Sequence, residues 1–459
     1  MERVTGLNFI VVGAGRSGMA LARFLLERGG KVVLTDDRTE GLDPALGELQ
    51  GRGARLALGG HDAALFRTAD RILVSPGVPL TLPAILAARS SGVPVWGEIE
   101  FASRYLKGKI IGITGTNGKS TTTTLTGHLL QEGGLDATSC GNLGTPLIEM
   151  VAGDSESRTY VVELSSFQLE GIETFRPDVA VLLNVAPDHQ DRYPDHAAYR
   201  AAKGRIFENQ RANDVAVLNR DDPETIAFAP VVRARMEQFS RLERIPDGAC
   251  VEADQVVIRR EGRTHPVLPV DALPLVGVHN LENVLASVVV ADLCGVPLDS
   301  MAGAILRFRG LPHRMELVQE IDAVRYYNDS KATNVAATAR SLESFQQGVI
   351  LILGGKDKGG DFASLLPLIR QRTAGLVLMG KARDVIAAQL GEPVPTRKVQ
   401  TMPEAVAAAR SMAAPGQVVL LAPACASFDA YRNFEERGED FKRRVSELAR
   451  EPANPGGGR

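Results

Sequence analysis

The sequence predicts an α/β protein of three domains, each built on a mostly parallel sheet flanked by helices. Three observations support this fold class. The chain has 459 residues, which corresponds to about three domains of ordinary size. Short β-branched runs alternate with helical segments along most of the chain, a pattern typical of parallel sheets. Glycine-rich loops follow two of the apolar runs, at points where a strand gives way to a helix.

The composition is that of an ordinary globular protein and argues against several functional classes. Hydrophobic residues make up 44% of the chain and charged residues 23%, so each domain can bury a core. The net charge of −3 does not favour a nucleic-acid partner, and no apolar stretch is long enough to span a bilayer. The four cysteines are scattered without a Cys-x-x-Cys pair, which disfavours a zinc site or a disulfide framework. We therefore expect a cytoplasmic protein without nucleic-acid binding or membrane insertion.

The first domain, residues 1–98, opens with a glycine fingerprint. Residues 8–18 read NFIVVGAGRSG, which predicts a strand, a Gly-x-Gly-x-x-Gly turn and the start of a helix. A second strand ends at Asp36, Asp37 and Arg38, about twenty residues further on. This Rossmann-like pattern suggests NAD when taken alone, but the N–H groups of such a loop suit any nucleotide diphosphate. A glycine turn without a ligand is the alternative.

A later strand of this domain adds two candidate residues. Residues 71–74 form an apolar run that ends in Ser75 and Gly77. Ligands of open α/β sheets bind at the carboxyl ends of the strands. Both residues are therefore candidates for the same site as the glycine loop.

The central domain, residues 99–310, is organised around a phosphate-binding loop of the P-loop ATPase-like kind. Residues 109–121 read KIIGITGTNGKST, which predicts a buried strand, a glycine loop and a helix that begins at Lys119 and Ser120. Backbone N–H groups of such a loop surround phosphate oxygens, Lys119 can reach the phosphates, and Ser120 can ligate Mg²⁺. Ile113 stands where the usual spacing puts the first glycine. A glycine-rich turn with a surface lysine is the alternative.

Three further polar residues of this domain are candidates, each with a structural alternative. Glu163 lies inside apolar residues, where a carboxylate costs several kcal/mol unless it is paired or bound to metal. It is either a Mg²⁺ ligand or a salt-bridged core acid. His189 follows a buried strand at 179–185 and is either a site residue or a structural histidine. Lys203 lies in a predicted helix at 199–210, where sequence alone favours a solvated surface lysine.

The central domain closes with a long predicted helix. Asn280 and Asn283 lie near its start, three residues apart. Residues at this spacing share one helical face, so both amides can hydrogen-bond a base or a loop.

The third domain, residues 311–459, repeats the strand–helix alternation and is expected to be Rossmann-like. The segment YYNDSKATN is placed after a strand, and the clear buried strands are 348–353 and 417–421. The second of these ends in the residues APACASF. The Pro- and Gly-rich stretch 451–459 is expected to be flexible.

Taken together, these motifs resemble the Mur ligase family. The matching pieces extend from Phe9 to about Gly438 and read GITGTNGKST, ELSSFQLE, NVAPDHQDRYP, YNDSKATN, LGGKDKGGDF and PACASFDAYRNFEERG. Within the family they are most similar to the members that add D-glutamate to UDP-N-acetylmuramoyl-L-alanine. The resemblance implies an ATP-dependent amide-bond ligase that works through an acyl phosphate in cytoplasmic peptidoglycan precursor synthesis. It also implies that the glycine spacing of the phosphate loop is the family's own pattern.

The resemblance implies a role for individual residues, and we separately expect a monomer. Residues matching the catalytic set are Lys119, Glu163, His189 and Lys203. Two Mg²⁺ ions are expected, and the matching ligands are Ser120, Glu163, His189 and a carbamylated Lys203. Residues matching the ATP site are Gly115, Thr116, Asn117, Gly118, Lys119, Ser120, Thr121, Asn280, Asn283, Arg314 and Asp329. Residues matching the UDP-substrate site are Arg16, Ser17, Asp36, Asp37, Arg38, Ser75, Gly77, Asn142, Ser165 and His189, and those matching the D-glutamate site are Thr333, Lys358, Ser427 and Phe434.

Two positions depart from the family pattern, and other functional classes remain to be weighed. Ala422 stands where a serine is common, and Asp37 stands where a small hydroxyl residue can occur. A folylpolyglutamate synthase would not carry the N-terminal glycine fingerprint, and a diamino-acid Mur ligase would carry an Asp-Asn-Pro-Arg motif, which is not found. An NAD-dependent oxidoreductase would leave Lys119 unexplained. A non-catalytic nucleotide-binding regulator would keep Lys119 but would not need Glu163, His189 and Lys203.

Overall fold

A computed structural model describes residues 3–189, 192–275, 277–357 and 359–450 and contains three sheets with flanking helices. The chain divides into two compact units. Met1–Leu273 and Leu281–Arg307 form the first unit, which holds the first two sheets. Pro274–Asn280 and Phe308–Arg459 form the second unit, which holds the third sheet. In the described part of the chain, no helix has the length and apolar character needed to cross a membrane.

The first sheet has five parallel strands in the order β3-β2-β1-β4-β5. Its strands are β1 (Asn8–Val12), β2 (Lys31–Asp36), β3 (Arg55–Leu58), β4 (Arg71–Val74) and β5 (Val95–Gly97). Its helices are α1 (Arg16–Glu27), α2 (Leu46–Gly51), α3 (Ala63–Phe66), α4 (Pro83–Ser90) and α5 (Glu98–Ser103). The strand order reverses at β1, so a crevice opens at the carboxyl end of β1, where the glycine loop lies.

The second sheet has nine strands in the order β14-β13-β12-β11-β10-β9-β6-β8-β7, and its pairings are parallel except for β12–β13 and β13–β14, which are antiparallel. Its strands are β6 (Lys109–Thr114), β7 (Ala137–Gly141), β8 (Thr159–Glu163), β9 (Val179–Leu182), β10 (Val215–Asn219), β11 (Arg235–Ser240), β12 (Gly248–Glu252), β13 (Gln255–Arg260) and β14 (Arg263–Pro269). Its helices are α6 (Lys119–Glu132), α7 (Ser166–Glu170), α8 (His196–Gly204), α9 (Pro223–Ile226), α10 (Val278–Leu293) and α11 (Leu298–Arg307). Because β6 lies between β8 and β9, the residues after these three strands converge on the phosphate loop.

The third sheet has six strands in the order β15-β16-β20-β17-β18-β19, and β15 alone of these runs antiparallel. Its strands are β15 (Glu316–Ile321), β16 (Val324–Asn328), β17 (Val349–Gly354), β18 (Thr373–Met379), β19 (Thr396–Lys398) and β20 (Val418–Leu421). Its helices are α12 (Val335–Glu343), α13 (Leu366–Arg372), α14 (Arg383–Leu390), α15 (Met402–Met412) and α16 (Phe434–Leu448). The central strand β17 is buried along its whole length, as its apolar sequence predicts.

The fold class is confirmed, and three element boundaries are corrected. The strand predicted at 179–185 ends at Leu182, because the following residues turn towards the phosphate loop. The helix predicted at 199–210 ends at Gly204 and continues as one 3₁₀ turn. Tyr326, Tyr327 and Asn328 lie inside β16 rather than after a strand, because they pair with both β15 and β20. The stretch 451–459, predicted to be flexible, lies outside the described residues.

Candidate active site

The phosphate loop leaves β6 at Thr114 and turns on two glycines that the backbone requires. Gly115 and Gly118 have φ angles of +157° and +83°, which disfavour any residue with a Cβ atom. A Cβ at Gly118 would also lie 2.2 Å from Asn283 Oδ1. Helix α6 begins directly at Lys119, so the loop ends at the N terminus of a helix. The unusual glycine spacing of the sequence is therefore the spacing that this turn needs.

Asn184 holds the loop from the end of β9, and the sequence analysis missed it. Its Oδ1 accepts from the Asn117 backbone N–H at 2.8 Å, and its Nδ2 donates to the Asn117 carbonyl oxygen at 3.1 Å. The Thr116 N–H donates to the Asn184 carbonyl oxygen at 2.9 Å. This reciprocal pairing fixes both residues at the tip of the loop. The signal in the sequence was a polar residue near the end of the otherwise apolar strand predicted at 179–185.

Two lysine side chains converge on one carbonyl oxygen of the loop. Lys119 Nζ donates to Gly115 O at 2.8 Å and to Thr116 O at 3.0 Å. Lys203 Nζ, from α8, donates to the same Gly115 oxygen at 2.8 Å and lies 4.6 Å from the centre of the Tyr199 ring. The prediction that sequence alone favoured, a solvated surface Lys203, is wrong, because this residue is only 1% exposed.

The environment of Lys203 favours an uncharged amine. Burial lowers its pKa to about 6, and the nearby charge of Lys119 acts in the same direction. The carboxylate of Asp188 opposes this effect but does not offset it. Near neutral pH, most Lys203 side chains are therefore unprotonated and nucleophilic.

Glu163 is the last residue of β8 and is 3% exposed. Its Oε1 accepts from Asn142 Nδ2 at 2.7 Å, and the Asn142 N–H donates to the Glu163 carbonyl oxygen at 2.9 Å. Its Oε2 is buried and has no hydrogen-bond partner among the described residues. A buried carboxylate oxygen without a partner is costly unless a cation binds there. This arrangement fits the metal ligand better than the salt-bridged core acid.

His189 lies beside α8 on a loop with a left-handed backbone, φ +51°. Its ring centre is 4.7 Å from that of Phe167 and 5.9 Å from that of Tyr199. Its side chain is 42% exposed, and Nε2 lies 3.9 Å from Asp188 Oδ2. An exposed ring on a strained loop is not a core histidine, so the structural alternative for His189 is not favoured.

The start of α6 packs against α10. Thr122 Oγ1 donates to Asn283 Oδ1 at 3.2 Å, and Ser287 Oγ donates to the Asn283 carbonyl oxygen at 2.8 Å. Asn280 is also buried on α10, whereas Ser120 on α6 remains partly exposed. The amide oxygen of Asn283 is therefore engaged by the protein at the back of the phosphate loop.

The glycine fingerprint of the first sheet is held from both sides. A Cβ at Gly18 would lie 1.8 Å from the Gly13 carbonyl oxygen, so the helix can approach the loop only with glycine there. Ser75 Oγ donates to the same oxygen at 3.0 Å. Ser75 therefore supports the loop from the end of β4, while the nearby Gly77 is exposed.

Asp36 acts on the same loop. Its Oδ2 accepts from the Ala14 N–H at 2.7 Å, and its Oδ1 accepts from Arg38 Nε at 2.8 Å. The Arg38 guanidinium, followed by the backbone N–H groups, holds the pKa of Asp36 far below its usual range. The buried carboxylate thus positions the loop and Arg38, whereas Asp37 points to solvent and is exposed.

A cavity of about 340 Å³ opens over this loop. Its lining includes Gly15 and three arginines, Arg16, Arg23 and Arg38. Ser17 is partly buried at the first turn of α1. Arginines beside a helix N terminus and a glycine loop carry the positive charge and the N–H groups that suit a diphosphate.

Ser165 caps α7 and forms part of a capping box. Its Oγ accepts from the Gln168 N–H at 3.2 Å, and Gln168 Oε1 accepts from the Ser165 N–H at 2.9 Å. Ser165 Oγ also donates a hydrogen bond to Gln168 Oε1 at 3.1 Å. Ser165 therefore has a structural function in the described contacts, next to Glu163.

In the second unit, Thr333 lines a cavity of about 540 Å³ together with Asp357, Asp361 and Cys425. Ser427 is 2% exposed, at the loop after β20. Lys358, predicted to bind D-glutamate, lies outside the described residues.

Phe434 begins α16, and the Lys331 Nζ lies 4.0 Å from the centre of its ring. The predicted adenosine contact Asp329 is buried, accepts from the Met315 N–H at 3.2 Å and also binds the Ser341 hydroxyl. Burial raises the pKa of Asp329. Arg314, next to Met315, is partly exposed.

Within the described ranges, no cluster of three or more His, Cys, Asp and Glu side chains could hold a metal ion. The orphaned Glu163 Oε2 and the Ser120 hydroxyl nevertheless provide hard oxygen donors next to the phosphate loop. Mg²⁺ in nucleotide sites takes one or two protein oxygens, and phosphates and waters complete its shell. The residues present therefore fit Mg²⁺ bound together with a nucleotide.

Three family models match successive parts of the chain. The "Mur ligase MurD-like, N-terminal domain" matches residues 7–97, the "Mur ligase middle domain" matches 113–291, and the "Mur ligase, glutamate ligase domain" matches 313–425. The chain is 45% identical over 447 residues to the UDP-N-acetylmuramoylalanine–D-glutamate ligase of Geotalea daltonii, covering 97% of this chain and 98% of the relative. It is 47% identical over 439 residues to the protein of the same name from Geobacter sp. strain M21, covering 95% and 97%.

Solved structures share the fold at low sequence identity. The UDP-N-acetylmuramate-alanine ligase of Thermotoga maritima has a TM-score of 0.60 at 20% identity, covering 96% of this chain and all of that one. A MurF ligase of Thermotoga maritima solved in complex with ADP has a TM-score of 0.57 at 17% identity, covering 98% and 97%. These similarities show a common three-domain architecture.

Proposed function

Because the chain belongs to the Mur ligase family, we propose that it joins D-glutamate to UDP-N-acetylmuramoyl-L-alanine in an ATP-dependent reaction. The observation that carries this proposal is the identity of 45% and 47%, over nearly the full length, to relatives named for that ligation. The reaction forms an amide bond, ADP and phosphate, and it supplies a precursor of peptidoglycan. We place it in the cytoplasm, which provides ATP and keeps the four free cysteines reduced. We expect a monomer.

The proposed reaction brings two anions together, the substrate carboxylate and ATP, and then requires an amine to attack the activated carboxyl group. The substrate carboxylate displaces ADP from the γ-phosphorus of ATP and forms an acyl phosphate. The amine of D-glutamate then attacks the acyl carbon, phosphate leaves, and the amine releases its proton. Lys119 at the head of the loop reduces the repulsion of the first step, because its ammonium group neutralises phosphate charge. No covalent intermediate on the protein is required.

The metal ligands in this proposal are Ser120, Glu163, His189 and the modified Lys203. Support comes from the unpartnered, buried Glu163 Oε2 and from the position of Ser120 at the start of α6. Two Mg²⁺ ions, when bound, would neutralise phosphate oxygens and orient the γ-phosphoryl group. The task of the protein is to hold these oxygen donors at the end of β8 and the start of α6.

We propose that Lys203 carries a carbamate in the active enzyme. The amine nitrogen attacks CO₂, a C–N bond forms, and one proton is lost to solvent. This step needs an unprotonated amine, which the buried environment of Lys203 supplies at neutral pH. The product is an anion with two oxygens, which suits Mg²⁺ far better than an amine.

The remaining substrates have separate proposed sites. Arg16, Ser17 and Arg38 would bind the diphosphate and uridine of the sugar nucleotide, supported by the arginine-lined cavity over the glycine loop. Thr333, Lys358, Ser427 and Phe434 would bind D-glutamate, and Asn280, Asn283, Arg314 and Asp329 the adenosine of ATP. We propose domain boundaries at 98/99 and 310/311, so that UDP-sugar binding, ATP binding and amino-acid binding fall in successive domains.

Phosphate release with matched substrates tests the proposal. Purified enzyme with ATP, Mg²⁺, UDP-N-acetylmuramoyl-L-alanine and D-glutamate should release one phosphate per amide formed. L-Glutamate, and the sugar nucleotide without its alanine, are the controls and should give little phosphate. Calorimetry should detect the UDP-sugar and not NAD. Binding of NAD without the UDP-sugar, or phosphate release without amide, would overturn the proposal.

A further inference from the structure

Residues 142–149, here called the bridging segment, contact both the glycine loop and Glu163. At its start, Asn142 makes the two hydrogen bonds to Glu163 described above. Near its middle, the Gly144 carbonyl oxygen accepts from Arg16 Nη1 at 2.7 Å. A movement of this segment would therefore disturb both the UDP-sugar site and the carboxylate proposed to bind metal.

Glu98, the first residue of α5, anchors the far end of the bridging segment. Its Oε1 accepts from the Ile148 N–H at 2.7 Å, and the residue is 1% exposed. Leu147 and Ile148 open a 3₁₀ helix, Leu147–Gly153, whose first N–H groups have no partner within the helix. Without the Glu98 carboxyl, the buried Ile148 N–H would lose its acceptor.

The chain keeps this carboxyl group at a cost. Glu98 Oε2 is buried and lacks a hydrogen-bond partner in the described part of the chain. Burial also raises the pKa of Glu98 to about 7, so the protein resists its ionisation. None of the roles proposed above uses this residue. The contact with the bridging segment is the one that connects it to the reaction.

We propose that Glu98 is a positioning residue that fixes the bridging segment and, through Asn142, the orientation of Glu163. The inference rests on the proposed function, because it takes Glu163 as a metal ligand. Groups that hydrogen-bond a ligating carboxylate set its orientation and the affinity of the metal. Loss of the Ile148 anchor should therefore weaken metal binding and also UDP-sugar binding, because Gly144 holds Arg16.

The same helix offers a matched control. Glu100 is also fully buried and accepts from the N–H groups of Glu173, Thr174 and Phe175 at 2.8, 2.9 and 2.8 Å. These residues belong to the loop after α7 and not to the bridging segment. Removing either carboxyl group should lower the melting temperature. Only the change at Glu98 should alter metal and sugar-nucleotide binding.

The experiment measures Mn²⁺ binding to the full-length enzyme by electron paramagnetic resonance, in the presence of saturating ADP. The melting temperature and the KM for UDP-N-acetylmuramoyl-L-alanine are measured on the same variants. We expect Glu98→Ala to weaken Mn²⁺ binding about fivefold, the factor of one lost buried hydrogen bond. Glu98→Gln should stay near wild type, because its amide oxygen still accepts from Ile148. Glu100→Ala should lower the melting temperature without changing Mn²⁺ affinity.

Several results would contradict the inference. A folded Glu98→Ala enzyme with wild-type Mn²⁺ affinity would overturn it, and so would an equal loss in Glu100→Ala. If Glu98→Ala does not fold, the test uses Glu98→Asp, whose shorter side chain withdraws the acceptor: this variant must bind Mn²⁺ more weakly than the wild type, and wild-type affinity would overturn the proposal. A wild-type enzyme that does not ligate D-glutamate would refute the proposed function instead, so the two failures are distinguishable.

Discussion

Replacing Lys203 by methionine should abolish ligation and at the same time make the protein more stable. The amine is charged in the unfolded chain but largely neutral in the folded one, since its pKa falls from 10.5 to about 6. At pH 7, folding must therefore remove a proton from a group whose pKa in the unfolded chain lies about 3.5 units above that pH. This deprotonation costs roughly 5 kcal/mol. Methionine of similar length has no such cost. The carbamate proposed above cannot form on it.

The stability gained by Lys203→Met is reduced by the loss of the contacts that the Lys203 amine makes. The hydrogen bond from Lys203 Nζ to Gly115 O disappears, at about 1 kcal/mol. The Gly115 oxygen keeps its bond from Lys119 Nζ, so it is not left unpaired. We therefore expect Lys203→Met to unfold with a free energy larger by roughly 4 kcal/mol at pH 7.

The pH dependence gives the sign of the effect. The unfolded state binds more protons than the folded state between pH 6 and pH 10.5, so wild-type stability rises with pH through this window. The advantage of Lys203→Met should shrink by ~1.4 kcal/mol per pH unit as the pH rises from 7 to 9, and level off below pH 6.

Urea unfolding at pH 6, 7, 8 and 9, in bicarbonate-free buffer without Mg²⁺, measures this difference, and phosphate release measures activity. In a companion Lys203→Ala enzyme, short carboxylic acids should restore part of the activity by replacing the carbamate. A Lys203→Met protein that is less stable than wild type at every pH, or that keeps its activity, would refute the reasoning.

Three further substitutions test the loops. Lys119→Ala should abolish phosphate release while circular dichroism shows an intact fold; full turnover by the folded variant would contradict the proposed charge neutralisation. Asn184→Ala removes both side-chain bonds to Asn117 and should raise the KM for ATP about thirtyfold, since two bonds of ~1 kcal/mol are lost; an unchanged KM would count against the role of Asn184. Gly18→Ala places a Cβ 1.8 Å from Gly13 O and should lower the melting temperature and UDP-sugar affinity together, as thermal shift and calorimetry would show; wild-type values would contradict the packing argument.

The sequence predicts a strand correctly where the local pattern of apolar and turn-forming residues coincides with the position of that strand in the fold. The strand β4 matches the apolar run predicted at 71–74, because its buried Ile72, Leu73 and Val74 are followed by the turn at Ser75. The strands β10–β14 were not predicted from the sequence. In β11, for example, the residues RMEQFS carry charges on a strand that is only partly buried, so the apolar signal is weak. Long-range pairing decides such strands, and a local pattern does not contain it.

Residue type and position were enough to choose some residues of the candidate site, and the family resemblance supplied the others, but neither predicted the contacts. Glu163 could be identified as an unusual acid, yet only the structure reveals that one of its oxygens has no partner among the described residues. Lys203 was misjudged as a surface residue without the family resemblance, because burial of a helical lysine depends on what packs against α8. Asn184 and Glu98 were missed for the same reason, since their importance lies in hydrogen bonds to distant backbone groups.

Oxygen-isotope transfer tests the central claim most directly. The substrate UDP-N-acetylmuramoyl-L-alanine is prepared with ¹⁸O in both oxygens of its alanine carboxylate and turned over with ATP, Mg²⁺ and D-glutamate. If the carboxylate attacks the γ-phosphorus and the amine of D-glutamate then displaces phosphate, each phosphate released must carry one ¹⁸O atom, and the new amide must keep the other. Unlabelled phosphate, or a product that lacks D-glutamate, would contradict the account.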